Sequence, residues 1–291
     1  ARLRGVRQLR QSATSLAGPV AEAMQATEPD TSGLRPWTWT VAGGHASNDW
    51  KRYRERLEAV TVRRHFSAQA LGSAGNEPLL LLRCGVADDA TPSLLVASGF
   101  HGEEPAGPWG VLEFLESAPV ELLSAARLSL LPLVNVTGFS KGTRFNAWGE
   151  NPNRGFLGLP GESPSREGRI LLDHQALLVP AAQEGLLTCH EDVLLSHAYL
   201  YSQERAEAPG KLTRALLEAN AAHFPLHPDG LVDGCAVNGG IVFNHYDGSF
   251  ESWLMSHGIA YTACVETPGQ QPIAQRIAAQ RAMIDTFVRA A

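Results

Sequence analysis

Three apolar runs in this chain each end in a histidine or a carboxylate, and that pattern restricts the fold more than any other feature. Leu94-Leu95-Val96-Ala97-Ser98-Gly99 reads as a buried strand that leaves its sheet through Phe100-His101-Gly102-Glu103-Glu104. Gly185-Leu186-Leu187-Thr188-Cys189-His190 repeats the design, and Tyr261-Thr262-Ala263-Cys264-Val265-Glu266 is a third run, ending in an acid. Strands apolar along their whole length belong in a sheet covered on both faces. Ligands of such sheets sit at the carboxyl ends of the strands, where His101, His190 and Glu266 all fall.

The rest of the chain supplies that covering. Strand patterns occupy 79–84, 94–100, 128–136, 186–190, 198–201 and 259–266, and helix patterns occupy about 108–117, 167–184, 211–223 and 272–289. Pro108 suits a first helical turn. This alternation predicts an α/β fold with a mixed, largely parallel central sheet flanked by helices. Residues 1–35 read as a weakly organised leader, and Trp37-Thr38-Trp39-Thr40 with the charged stretch 49–59 as a lead-in. The expected division is therefore an N-terminal segment at 1–60 and a catalytic domain at 61–291.

A histidine and a carboxylate three residues apart, with a second histidine delivered by another strand, match what a catalytic zinc asks for: three protein ligands of nitrogen and oxygen type, and a fourth position left to water. His101, Glu104 and His190 are the candidate ligands, and Glu266 is the candidate general base. Between them, Thr143-Arg144-Phe145 and Asn151-Pro152-Asn153-Arg154-Gly155-Phe156 place two arginines and two asparagines in a Gly/Pro-rich stretch unsuited to helix or central strand. Ordering two guanidinium groups there makes sense if something anionic is held. A histidine after a strand is more often a loop residue than a ligand, and the other eight of the ten histidines read as solvated or structural.

These residues, taken in order, resemble the zinc metallocarboxypeptidase family of carboxypeptidase A type, with motif spacing closest to its bacterial murein-peptide carboxypeptidases. H-x-x-E stands as His101 and Glu104, the Asn-Arg pair as Asn153 and Arg154, the upstream arginine as Arg144, the distal histidine as His190 and the strand-terminal glutamate as Glu266. Ser252-Trp253, with Trp253 thirteen residues before Glu266, resembles the family's approach to that glutamate. The resemblance implies zinc on His101, Glu104 and His190, Glu266 as base, Arg144 facing the oxyanion, and Asn153 with Arg154 clamping a terminal carboxylate. It implies a small peptide or muropeptide with a free carboxylate as substrate.

Three departures stand out. The family carries aspartate two residues before the Asn-Arg pair, where this chain has Asn151. Its mobile tyrosine has no clear counterpart; Tyr246 is nearest, with Tyr199 and Tyr201 as rivals. Glu251 falls where digestive members set side-chain preference, and it equally suits the acidic start of a helix behind Ser249.

Other readings compete. The acyl-amino-acid deacylases of aspartoacylase and succinylglutamate desuccinylase type share H-x-x-E and Asn-Arg, but carry an added β domain after the glutamate, where this chain has one helix. Gly138-Phe139-Ser140-Lys141-Gly142 fits a serine hydrolase's G-x-S-x-G, yet the segment after it is crowded with Gly, Pro and Asn where that elbow needs a helix. A non-catalytic module holding a peptide terminus would not need all five core positions filled.

Composition narrows the classes further. A net charge of −6 leaves no electrostatic footprint for nucleic acid, and no apolar run approaches the roughly 18 residues that span a bilayer. Cys84, Cys189, Cys235 and Cys264 are scattered without metal-type spacing, and read as small core residues of a reducing compartment. The basic stretch Ala1–Arg10 is followed by residues too polar for a secretory signal, so a cytoplasmic enzyme is expected.

Overall fold

The computed structural model describes residues 47–84 and 91–291. The leader at 1–35 and the Trp37–Thr40 lead-in lie outside the described residues. Within them, β1 (Ser67–Ala74), β2 (Glu77–Cys84), β3 (Ser93–Ser98), β4 (Arg127–Leu131), β5 (Gly185–Asp192), β6 (Tyr199–Glu204), β9 (Ile241–Phe243) and β10 (Tyr261–Pro268) form an eight-stranded sheet in the order β1-β2-β4-β3-β5-β10-β6-β9. The pairs β4–β3, β3–β5, β5–β10 and β6–β9 are parallel, and the remaining pairs are antiparallel. This is the mixed sheet the alternation predicts.

The period of two explains why its middle is apolar on both faces. All six residues of β3 are buried. Leu94 and Val96 join the cluster formed with α2 (Ala106–Ser117) and α9 (Ile273–Ala290). Leu95 and Ala97 join the opposite cluster, with α5 (Arg166–Asp173), α6 (Gln175–Ala181) and α8 (Phe250–Ser256). The remaining helices are α1 (Trp50–Arg63), α3 (Val120–Leu123), α4 (Val136–Phe139) and α7 (Lys211–Ala221). Residue 61 lies inside α1, whose Tyr53, Leu57 and Val60 pack into the first cluster. The Tyr53 hydroxyl donates to the Pro132 carbonyl at 2.9 Å.

Several boundaries differ from the sequence reading. The strand expected at 128–136 stops at Leu131, because Pro132 brings no backbone donor and Asn135 then caps α4 by accepting from the Gly138 amide. The helix expected at 167–184 is two helices that meet at His174, with Pro180 in the last turn of the second. Unforeseen elements are β1 and three-residue strands, among them the hairpin of β7 (Gly230–Val232) and β8 (Cys235–Val237), while α8 is the helix that Ser249 and Glu251 suggested.

Candidate active site

The sheet delivers three of the expected residues. His190 on β5 and Glu266 on β10 are directly paired in the parallel register. His101 and Glu104 lie just past β3, on a loop held by hydrogen bonds from the Gly102 amide to the Thr143 carbonyl at 3.0 Å and from Asn48 Nδ2 to the Gly102 carbonyl at 2.8 Å. Gly102 passes so close to the turn at 138–139 that a Cβ there would lie 1.9 Å from the Gly138 carbonyl carbon.

Glu104 faces both imidazoles. His101 Nδ1 lies 2.7 Å from its Oε1 and His190 Nδ1 lies 2.8 Å from its Oε2, all three residues being buried. The Asn153 amide donates to Asn151 Oδ1 at 3.0 Å, which fixes that atom as the oxygen, so His101 Nε2, 3.2 Å away, is the nitrogen that donates to it. Burial outweighs the pull of Glu104 and pushes the His101 pKa down to about 4. A neutral His101 protonated at Nε2 turns a bare Nδ1 lone pair toward a carboxylate oxygen at hydrogen-bond distance. A cation between the two acceptors satisfies both of them. Two imidazole nitrogens and an ionised carboxylate, all within 4.8 Å of one another, fit the donor set of zinc.

Glu266 stands beside this group. Its Oε1 accepts from the Cys264 thiol at 3.6 Å, and its Oε2 is buried without a partner. Burial, then the charges of Glu104 and Asp192, raise its carboxyl well above the ordinary range. Arg144 Nη1 reaches Glu104 Oε1 at 3.3 Å and Glu103 Oε1 at 3.6 Å.

His101, His190, Glu266, Cys264 and Arg144 line one cavity of about 150 Å³, together with Asn153, Arg154, Glu251, Asp247, Asp233 and His245. Arg154 pairs with Asp247 at 3.2 Å and donates to the Asn153 carbonyl at 2.7 Å. Asn153 is engaged at both ends of its side chain: Oδ1 accepts from the Phe250 amide at 2.9 Å, and Nδ2 donates to Glu251 Oε2 at 3.2 Å. Glu251 stands in the first turn of α8 behind the Ser249 cap, and its side chain lines the cavity.

Tyr246 is not brought to the cavity wall; Tyr201 lines it, while Tyr199 donates to Asp192 at 2.9 Å. Ser140 is exposed and follows the single turn of α4 instead of opening a helix, which removes the serine elbow. Cys84 and Cys189 are buried as expected. Cys235 and Cys264 are not wholly core residues: both line the cavity, Cys235 lying 3.6 Å from His245 Nδ1. His245 is the one cavity histidine that sequence reasoning passed over.

The family model for the succinylglutamate desuccinylase/aspartoacylase catalytic domain matches residues 90–182. No curated protein sequence matches the chain. Among solved structures, a Shewanella amazonensis protein provisionally named a metallopeptidase is 46% identical, with 88% of this chain and 98% of that one aligned at a TM-score of 0.81. One of the same description from Shewanella denitrificans is 41% identical over 88% and 96%, also at 0.81. The chain belongs to the zinc carboxypeptidase/succinylglutamate desuccinylase–aspartoacylase superfamily. The murein-tripeptide amidase of Escherichia coli O157 shares the fold at 16% identity, over 77% of this chain and 92% of that one, with a TM-score of 0.54. The sequence resemblance to carboxypeptidases thus holds at the level of the superfamily, which also contains the deacylases.

Proposed function

We propose that the protein is a zinc-dependent hydrolase that cleaves the C-terminal amide bond of a peptide or murein peptide. The observation that carries this reading is the meeting, in one cavity, of a His–Glu–His group, a buried glutamate with a free oxygen, and an arginine-asparagine pair suited to a carboxylate. Zinc held by His101, Glu104 and His190 would supply a Lewis acid and a water acidified to a pKa of about 7.

The chain's own residues do the rest. Glu266 takes the proton of the attacking water at Oε2, which has no competing partner, and passes it to the leaving amine. Arg144 stabilises the negative charge that develops on the carbonyl oxygen, a contribution whose loss typically costs about a hundredfold in rate. Arg154 and Asn153 hold the terminal carboxylate, the guanidinium offering a planar fork. For this Arg154 shares itself with Asp247. Glu251, Asp247 and Asp233 make the wall acidic, which favours a last residue with a cationic group, as in lysine, arginine or diaminopimelate.

A second reading, N-acyl-amino-acid deacylation, is favoured by the family model over 90–182, since an acyl amino acid also presents an amide beside a free carboxylate. A mass-spectrometric panel of peptides with free and amidated C-termini and of N-acyl amino acids separates the two. Peptides with a free terminus are expected to be cleaved and their amides spared, and Glu266→Gln is expected to keep metal and fold while losing turnover. Efficient cleavage of amidated peptides would remove the carboxylate clamp. Turnover of acyl amino acids alone would establish the deacylase, and metal binding without any turnover would leave a binding module.

A further inference from the structure

His190 poses a question that His101 has already answered. In His101 the nitrogen away from Glu104 has a partner in Asn151 at 3.2 Å, and that partner fixes which nitrogen is free for a cation. In His190 the corresponding Nε2 is buried and has no hydrogen-bond partner, in a residue only 2% exposed. If a cation takes Nδ1, the imidazole proton must sit on Nε2, and a buried N–H without an acceptor costs about 1–3 kcal/mol. The group facing it is Glu251, whose Oε1 lies 3.8 Å away.

Glu251 is built to stay there. It is buried on the first turn of α8; Thr188, two residues before His190 on the same strand, donates to its Oε1, and Asn153 donates to its Oε2 at 3.2 Å. We infer that Glu251 is a positioning residue for metal binding: when a cation takes Nδ1, the His190 ring, 3.8 Å away without it, closes on this carboxylate, which accepts the Nε2–H and thereby holds Nδ1 toward the cation. The proton that leaves Nδ1 when the cation arrives is exchanged through water and reappears on Nε2. This rests on the reading of His101, Glu104 and His190 as the metal site, and it changes the reading of Glu251 from a pocket acid alone to a link between the substrate clamp and the metal ligand. Asn153, Glu251 and His190 then form one hydrogen-bonded chain. A competing use of the same atoms is a second cation on His190 Nε2, Glu251 and Cys264, which lie within 4.8 Å of one another. That would require an imidazole stripped of both protons and a thiolate among carboxylates.

The test is zinc affinity of the metal-free wild type, Glu251→Ala and the isosteric Glu251→Gln, measured by competition with a chromophoric chelator at fixed pH, with the visible spectrum of the cobalt-loaded proteins alongside. One equivalent is expected in the wild type. Glu251→Ala should bind about 10–100-fold more weakly with an altered cobalt spectrum, and Glu251→Gln, which keeps an acceptor oxygen without the charge, should fall between. If Glu251→Ala does not fold, the Gln variant carries the test. Both variants binding within twofold of wild type, with unchanged cobalt spectra, would overturn the assignment and leave Glu251 as a pocket residue. A second equivalent that Cys264→Ser abolishes would overturn it in favour of a metallated Nε2. Wild type that binds no divalent metal would sink the metal site itself, a different failure from that of the variants.

Discussion

Adding one methyl group to Gly102 is predicted to damage this protein more than its size suggests. The new carbon would lie 1.9 Å from the Gly138 carbonyl carbon, 2.2 Å from the Phe139 nitrogen and 2.3 Å from the Gly138 oxygen. Carbon atoms rest at about 3.5–4.0 Å, so one segment must retreat by more than an ångström, and all three obstacles are backbone that no rotamer change can clear. Overpacking alone costs about 1–3 kcal/mol and occasionally more. Retreat also stretches the Gly102–Thr143 and Asn48–Gly102 hydrogen bonds, each contributing about 0.5–1.5 kcal/mol. The expected loss for Gly102→Ala is therefore roughly 3–5 kcal/mol in urea unfolding under excess chelator. Because the displaced segment joins His101 to Glu104, metal affinity should fall by at least the roughly 10–100-fold that follows loss of a supporting partner. The same methyl at Gly230, whose nearest obstacle is the Pro228 oxygen at 4.0 Å, should change stability by no more than about 1 kcal/mol, in the stabilising direction. If Gly102→Ala lay within 1 kcal/mol of wild type and bound metal normally, the close approach of these two loops would be refuted.

Two further outcomes test the metal site from opposite sides. Stripping with chelator should lower the melting temperature, and zinc at about a hundred times its dissociation constant should restore about 2.7 kcal/mol; melting that ignores the metal would argue against binding to the folded site. Asn151→Asp puts a carboxylate on His101 Nε2–H while still accepting from the Asn153 amide, so zinc affinity should rise by up to about tenfold. Equal or weaker binding would mean that Asn151 only shapes the loop.

His101, His190 and Glu266 were legible because each ends an apolar strand, and the sheet places such ends together. The same period of two could have exposed more. Thr262 and Cys264 share a face with Glu266, and all three line the cavity, so Cys264 was readable as a site residue rather than as core. Tyr201 and Gln203 on β6 follow the same rule. Less could be foreseen for His245 and Cys235, which reach the cavity from a loop and from a three-residue strand of the β7–β8 hairpin, segments too short to show a period. The split at His174 was hidden because Leu171, Leu172, Leu177 and Leu178 keep the apolar pattern running across it.

The pairing of Glu266 with His190 on neighbouring parallel strands has a consequence for how this enzyme can change. Strand spacing of about 4.8 Å is a property of the backbone ladder, so Glu266 and His190 are as fixed in relation to each other as any two residues of the sheet. Arg144, Asn153 and Arg154 belong instead to a connection without strands, where insertions and substitutions are tolerated. The proposed metal ligands and base therefore stand on a different kind of backbone from the proposed carboxylate clamp, with Arg144 and Glu251 as the residues that tie the two together. A programme of directed evolution aimed at a new leaving residue should concentrate its library in 155–165 and 230–248, and leave Arg144, Asn151, Asn153, Arg154, Glu251 and the three strand ends untouched.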